Sequence, residues 1–272
     1  ADRKVRSKVN ISAEKSLALG LGLGPFEGSS SGNIRNKALS KLRTMDYIMV
    51  RDKWSYNLLE RNSIKSSKAN DLCFAPQKFL PFEIKEKQAT KKIERITFIL
   101  RDWPHSNDNI HIKRAIRFIK KHKKNRSYKF QKVVLFANDL NCEKQLIKEN
   151  IDYVKWNPNK FSIQKFMDII YDTDLVISSR YHGIVLSSIF KIPFIPIEVD
   201  PKLQLFTEGV YNQKIGWKYP YKDIGLRNQI ERLTKTSIEH IAYSETKIKD
   251  YRQLINIVLQ DVNSILNEKN KD

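Results

Sequence analysis

From Ile96 to Val199 the sequence alternates short apolar runs with amphipathic stretches, and this alternation limits the chain to very few folds. Ile96–Leu100, Val133–Ala137, Tyr153–Val154, Leu175–Ser178 and Phe194–Val199 read as strands. Between them, Asp108–Lys124 has helical spacing at Ile112, Ile116 and Ile119. Cys142–Glu149, Ser162–Tyr171 (with Ser162 as its cap) and Gly183–Phe190 read as helices as well. A strand–helix order with short connections requires parallel strands and right-handed crossovers. The expected architecture is therefore a doubly wound parallel sheet. The tail from Ile224 to Leu266 is mostly helical, with apolar spacing at Ile248, Tyr251, Leu254, Ile255 and Val258.

The part before this alternation is shorter and richer in glycine. Ser16–Leu19 reads as the end of a strand and Gly20–Phe26 as a tight loop. Asn33–Arg43 reads as a helix, Tyr47–Val50 as a buried strand, and Ser55–Glu60 as a helix capped by its serine. The polar stretch Lys85–Lys92 reads as a linker, so two domains are expected, residues 1–88 and 89–272. Two cysteines, Cys73 and Cys142, exclude a disulfide scaffold and a cysteine metal cluster. No other group of residues has metal-ligand spacing, and no metal is expected. No apolar run approaches the ~20 residues of a membrane span. Leu17–Leu23 imitates a signal peptide but is broken by Gly20 and Gly22 and lacks a cleavage pattern. A cytoplasmic location, peripheral to the membrane, is expected. The first residue is Ala rather than Met, which reads as a trimmed or partial chain.

Lys and Arg outnumber Asp and Glu 50 to 30, a net charge of +20. The excess concentrates between Lys113 and Lys132, where ten basic residues meet no acid. Such a window is either an ordinary solvated helix face or a surface for an anionic membrane or polymer. Nucleic acid is not an expected partner, because zinc, RNP-type and helix-turn-helix patterns are all missing.

Ligands of open parallel sheets bind beyond the carboxyl ends of the strands. The residues just after each strand are Arg101-Asp102-Trp103, Asn138-Asp139, Arg180-Tyr181-His182-Gly183 and Asp200-Pro201-Lys202. Arginine forks match carboxylate and phosphate, and a helix start favours a bound anion. The set suits a small anion carrying both groups. A surface pairing of Arg101 with Asp102 or Asp172 is the alternative role for that residue. His105, His111, His122 and His240 read as structural. The glycines of Gly20–Gly24 either cradle a phosphate or make a turn. Trp103 and Trp217 either stack on a sugar or pack.

The run Asp174–Gly183, D-L-V-I-S-S-R-Y-H-G, is followed by Pro193 and by Asp200-Pro201-Lys202. Upstream lie L-G-L-G-L-G-P at Leu19–Pro25 and V-R-D-K-W-S at Val50–Ser55. In this order the motifs resemble the polysaccharide pyruvyltransferase family, from residue 16 to about residue 206. The resemblance implies a GT-B-like fold of two Rossmann-like domains. It also implies transfer of the enolpyruvyl unit of phosphoenolpyruvate to a sugar diol, forming a pyruvate ketal and releasing phosphate. The donor is a substrate, and no further cofactor is implied. The acceptor is a sugar or polysaccharide, lipid-linked or free. His182 is the implied catalytic residue. Arg101, Arg180, Tyr181, Gly183, Trp103, Asn138 and Lys202 are the implied substrate-binding residues. The family's opening G-G-x-N-x-G-D segment has no counterpart here, so the first domain is expected to be incomplete. Two other classes fit the composition: a nucleotide-sugar glycosyltransferase of the same fold, and a non-enzymatic polyanion or membrane-surface binder.

Overall fold

The computed structural model describes residues 14–24, 31–85, 93–103, 109–124, 128–130 and 132–267. The chain divides into two compact units, Ala1–Ala75 with Tyr251–Asp272, and Pro76–Asp250. The sequence reading places the division at 88/89 and gives the whole tail to the second domain. Most of the expected linker falls outside the described residues.

The first unit is a three-stranded parallel sheet in the order β1 (Leu17–Leu21), β2 (Tyr47–Val50), β3 (Ser67–Lys68). Helices α1 (Ser31–Leu42) and α2 (Lys53–Glu60) connect the strands. Its core gathers Leu23, Leu39, Leu42, Ile48, Val50, Leu59 and Ile64, which are all buried. Burying each of the larger side chains contributes about 1.5–3 kcal/mol. The cap of α2 is Asp52, not the expected Ser55. The Asp52 carboxylate accepts the Ser55 N–H at 2.7 Å. Ser55 is fully buried; its hydroxyl accepts the Leu23 N–H at 2.8 Å and donates to Asp52 at 3.0 Å. The aspartate and serine of V-R-D-x-x-S thus staple the glycine loop to the start of α2.

The second unit is a parallel sheet of order β7-β6-β4-β8-β9, with β5 paired to the start of β4. Its strands are β4 (Arg95–Ile99), β5 (Lys129–Phe130), β6 (Val133–Leu135), β7 (Tyr153–Lys155), β8 (Leu175–Ser178) and β9 (Phe194–Pro196). The two central strands, β4 and β8, are almost continuously buried, as strands covered on both faces must be. The helices are α3 (Ile110–Lys124), α4 (Leu140–Lys148), α5 (Ile163–Tyr171), α6 (Tyr181–Ile189) and α7 (Pro201–Tyr211). Ser162 caps α5 as expected, accepting the Lys165 N–H at 3.2 Å. Helix α6 is apolar all round, and every residue but His182 is buried. Helix α7 is absent from the sequence reading, which ended at the Asp200 turn. Asp200 caps it, accepting the Lys202 N–H at 3.1 Å, and Pro201 occupies its first position, where a missing N–H costs nothing. The last helix, α8 (Asp223–Asn267), contributes residues to both units.

Candidate active site

In the second unit the chain starts at β4, moves outward to β6 and β7, then returns to place β8 on the other side of β4. The strand order therefore reverses between β4 and β8, and this switch point opens a crevice at the carboxyl ends. Arg101 follows β4 and Arg180 follows β8, so the topology brings two guanidiniums to one crevice. The two loops are tied directly, since the Arg101 N–H donates to Ser179 Oγ at 3.0 Å.

Both arginine side chains are held from below by carboxylates. Arg180 pairs with Asp139, which follows β6. Arg101 lies 3.9 Å from Asp200, which also holds Lys202 at 2.8 Å. Arg101 thus pairs with neither Asp102 nor Asp172. Asp102 instead accepts the Asn141 and Cys142 N–H groups at the start of α4, and Asp172 pairs with Arg95. Asp139 accepts the Asp102 N–H at 3.1 Å, so one carboxylate ties together the loops after β4, β6 and β8. The His111 ring nitrogen meets the Arg101 carbonyl at 3.0 Å, and burial pushes the His111 pKa down. A neutral imidazole donating to that carbonyl supports the Arg101 loop.

Burial lowers the Arg101 pKa, and the positive charge of Arg180 lowers it further; Asp200 and Asp139 offset this in part. Arginine stays charged through such shifts. The crevice therefore holds two mutually repelling cations, only 18% and 19% exposed, over two carboxylates. The Nε–H groups of both arginines are buried without a hydrogen-bond partner among the described residues. An unpaired buried donor costs about 1–3 kcal/mol, and an anion with several oxygens removes that cost at both positions.

The other expected residues fall around this pair. His182 is exposed in the first turn of α6, directly after Arg180. The Tyr181 ring is buried edge-on against Phe206, so its part in the crevice is packing. Gly183 is set by close approach: a Cβ would overlap Ser178 Oγ and lie 3.1 Å from Ile99 Cδ1. The Trp103 ring lies under the Arg101 guanidinium at 4.3 Å, which occupies one of its faces. Trp217 is 2% exposed and donates its indole N–H to the Lys222 carbonyl, so it packs and does not stack on a ligand. Asn138 is exposed beside Asp139. The sequence reading placed Asp139 and Asp200 at the crevice without giving them a role. Their signal was available, as they are the acids that follow strands among cations.

In the first unit, Arg51 pairs with Asp71 at 2.9 Å. Gly22 lets the Arg51 guanidinium pass, since a Cβ there would meet its Nε at 2.7 Å. Gly20 and Gly24 have φ of +68° and +80°, values that glycine adopts without strain. Gly20 lies inside β1, at the register shift between Ala18 and Leu21, and the Leu23 N–H beyond it is committed to Ser55. Pro25 and Phe26 lie outside the described residues.

A family model described as polysaccharide pyruvyl transferase matches residues 5–201. Functionally curated proteins give no match. Among solved structures, S. aureus TarM with UDP and α-GlcNAc-glycerol superposes with a TM-score of 0.54 at 12% identity, over 94% of this chain and 52% of TarM. Anabaena HepE with UDP-glucose gives 0.56 at 11% identity, over 93% of this chain and 72% of HepE. The pneumococcal O-GlcNAc transferase GtfA with UDP and GlcNAc gives 0.52 at 12%, over 87% of this chain and 48% of GtfA. The chain spans about half the length of TarM and GtfA. At these identities the likeness concerns the fold, an α/β fold of the GT-B class.

Proposed function

The chain belongs to the polysaccharide pyruvyl transferase family of transferases, and on that premise we propose that it moves the enolpyruvyl group of phosphoenolpyruvate onto a diol of a polysaccharide sugar or its lipid-linked precursor. The observation that carries this reading is the arginine pair at the switch crevice, with two buried Nε–H groups unspent. Phosphoenolpyruvate offers a carboxylate and a phosphate on one carbon. Arg101 and Arg180 would take one each, with Lys202 and the start of α6 adding positive potential.

In the proposed reaction the methylene carbon gains a proton and becomes a methyl group. An acceptor hydroxyl adds to the resulting cationic carbon, phosphate leaves, and the neighbouring hydroxyl closes the ketal. The two hydroxyl protons balance the proton gained by the methyl group and the one carried off with phosphate or solvent. His182 is the residue assigned to proton transfer, because it is exposed in the first turn of α6 and follows Arg180 by two positions. An imidazole can donate a proton from one ring nitrogen and accept one at the other, so either direction of transfer is open to it. Arg101 and Arg180 also stabilise the charge that builds on phosphate as it departs. The reaction calls for no metal and no cofactor beyond the donor.

Steady-state phosphate release with a panel of sugar acceptors, together with calorimetric titration of phosphoenolpyruvate, tests this reading. His182→Ala is expected to keep donor affinity and to lose ~10²–10⁴ in turnover. Arg101→Ala and Arg180→Lys are expected to weaken donor binding, the second because lysine lacks the fork. Normal turnover in His182→Ala removes its catalytic role, and normal donor binding in both arginine variants removes the donor assignment. TarM, HepE and GtfA were each solved with UDP or a UDP-sugar, which supports a second reading, a nucleotide-sugar glycosyltransferase. Thermal stabilisation by UDP but not by phosphoenolpyruvate selects that reading.

A further inference from the structure

The surface of α3 carries a feature that the proposed reaction does not use. Lys113, Arg114, Arg117, Lys120, Lys121 and Lys124 fall within an arc of about 120° at 100° per residue, and they run for roughly 16 Å along the helix. The opposite face is the buried one, with Ile112, Ala115, Ile116, Phe118 and Ile119 against the sheet. Two acids border the cationic face. Glu149, just after α4, holds Lys120 at 2.7 Å, and Asp223, at the start of α8, holds Lys121 at 3.1 Å. Asp223 is shared with Arg227 at 2.8 Å and His122 at 3.2 Å, so it neutralises little of the face. Among the described residues, no acid pairs with Lys113, Arg114, Arg117 or Lys124.

The Lys121–Asp223 ion pair brings the start of α8 to this face, with exposed apolar side chains close to it in sequence. Ile224, next to Asp223, is 49% exposed, and Tyr219 is 73% exposed. Tyr219 stands out because its neighbours are anchored. Tyr221 is buried edge-on to His111 of α3 and donates to the Glu198 carbonyl at 3.2 Å, while Trp217 is buried beside Phe118. The 217–224 segment therefore runs along α3 and leaves one tyrosine in solvent.

We propose that this face, the cationic ridge of α3 with the exposed Tyr219 and Ile224 of the adjoining segment, docks on an anionic lipid bilayer. A bilayer surface complements both components. Its anionic headgroups attract the lysines and arginines, and its interfacial zone accepts the isoleucine side chain and the tyrosine ring. A soluble polyanion offers only the first. The inference concerns α3 and the 217–224 segment, and it is independent of the chemistry assigned to the crevice.

The test is sedimentation of the full chain with vesicles of phosphatidylcholine containing about 30% phosphatidylglycerol, against phosphatidylcholine alone, at low and high salt. Each basic residue near such a surface is worth about fivefold in partitioning at low salt. Arg117→Ser, Lys120→Ser and Lys124→Ser together are expected to reduce binding to anionic vesicles by about a hundredfold. Tyr219→Ser with Ile224→Ser is expected to reduce it further at unchanged net charge. Lys37→Ser, Lys41→Ser and Lys68→Ser, which remove the same charge from exposed positions of the first unit, are expected to leave it largely intact. Circular dichroism and thermal midpoints check that each variant is folded. The proposal is overturned if the parent protein does not bind anionic vesicles, or if the first-unit triple weakens binding as much as the α3 triple. It is also overturned if Tyr219→Ser with Ile224→Ser leaves binding unchanged while dextran sulfate competes fully, which marks a soluble polyanion as the ligand.

Discussion

Replacing Gly183 with alanine reverses the usual sign of a glycine-to-alanine change in a helix. In an open helix position alanine is favoured by about 1 kcal/mol. Here the new Cβ overlaps Ser178 Oγ and comes within 3.1 Å of both Ser178 Cβ and Ile99 Cδ1, and both of those residues are fully buried. Ser178 Oγ has no spare room, since it accepts the Arg180 N–H at 3.0 Å and donates to the Arg180 carbonyl at 2.9 Å. Displacing it forfeits two hydrogen bonds of about 1 kcal/mol each, and overpacking adds about 1–3 kcal/mol. The net expectation is a loss of about 2–4 kcal/mol after subtracting the propensity gain. Urea unfolding should be followed in a Trp54→Phe background. The three remaining tryptophans, Trp103, Trp156 and Trp217, then all report on the second unit. Adding Ser178→Ala removes the Oγ overlap and should recover at least about 1.5 kcal/mol as a coupling between the two sites. A Gly183→Ala protein as stable as its parent refutes the close-approach account and returns this glycine to the ligand.

Two further outcomes follow from the carboxylates. Asp139→Ala leaves Arg180 unpartnered at its base and is expected to cost about 2–3 kcal/mol of stability and to raise KM for the donor, with Asp139→Asn intermediate because it keeps an acceptor for the Asp102 N–H; equal donor KM in all three proteins sinks this positioning role. Burial raises the pKa of Glu198, which is packed against Gly216, so the folded state holds its proton more tightly than the unfolded state and stability falls as pH rises from the ordinary carboxyl range through the raised value. Glu198→Gln should therefore gain more over the parent at pH ~8 than at pH ~4 in thermal melts.

The sequence made the second sheet legible because its strands are buried on both faces and its helices are amphipathic or wholly apolar. β8 is found residue for residue, the ends of the other expected strands and helices lie within three positions of those observed, and the two-residue β5 was not expected. Helix α7 was missed because its signals lie in its ends, Asp200-Pro201 at the start and Asn212 in a left-handed conformation at the close, rather than in a strong apolar stripe. Crediting Ser55 with the α2 cap exchanged two residues that share one task. Serine is a good cap in isolation, but here it is buried and holds Leu23. At the crevice, the parallel order places Arg101 and Arg180 at one sheet edge, and the pairing of β4 with β8 makes them neighbours. Asp139 and Asp200 are legible as acids after strands, but their pairing with the arginines, the burial of Trp217 and the serine against Gly183 are matters of packing.

The composition of the first unit also constrains how the protein is made. Residues Ala1–Ala75 leave the ribosome first, yet Tyr251–Asp272 belong to the same unit and are synthesised last. Phe74 meets its edge-on partner Tyr251, at 5.2 Å, only when the final helix has emerged. The intervening stretch of about 175 residues takes roughly 10–35 s to translate at ordinary rates. When Asp250 has been added the second unit has its whole sequence available, while the first still awaits Tyr251–Asp272. Chaperone capture or proteolysis during synthesis is therefore expected to fall on the segment before Pro76 rather than on the second unit.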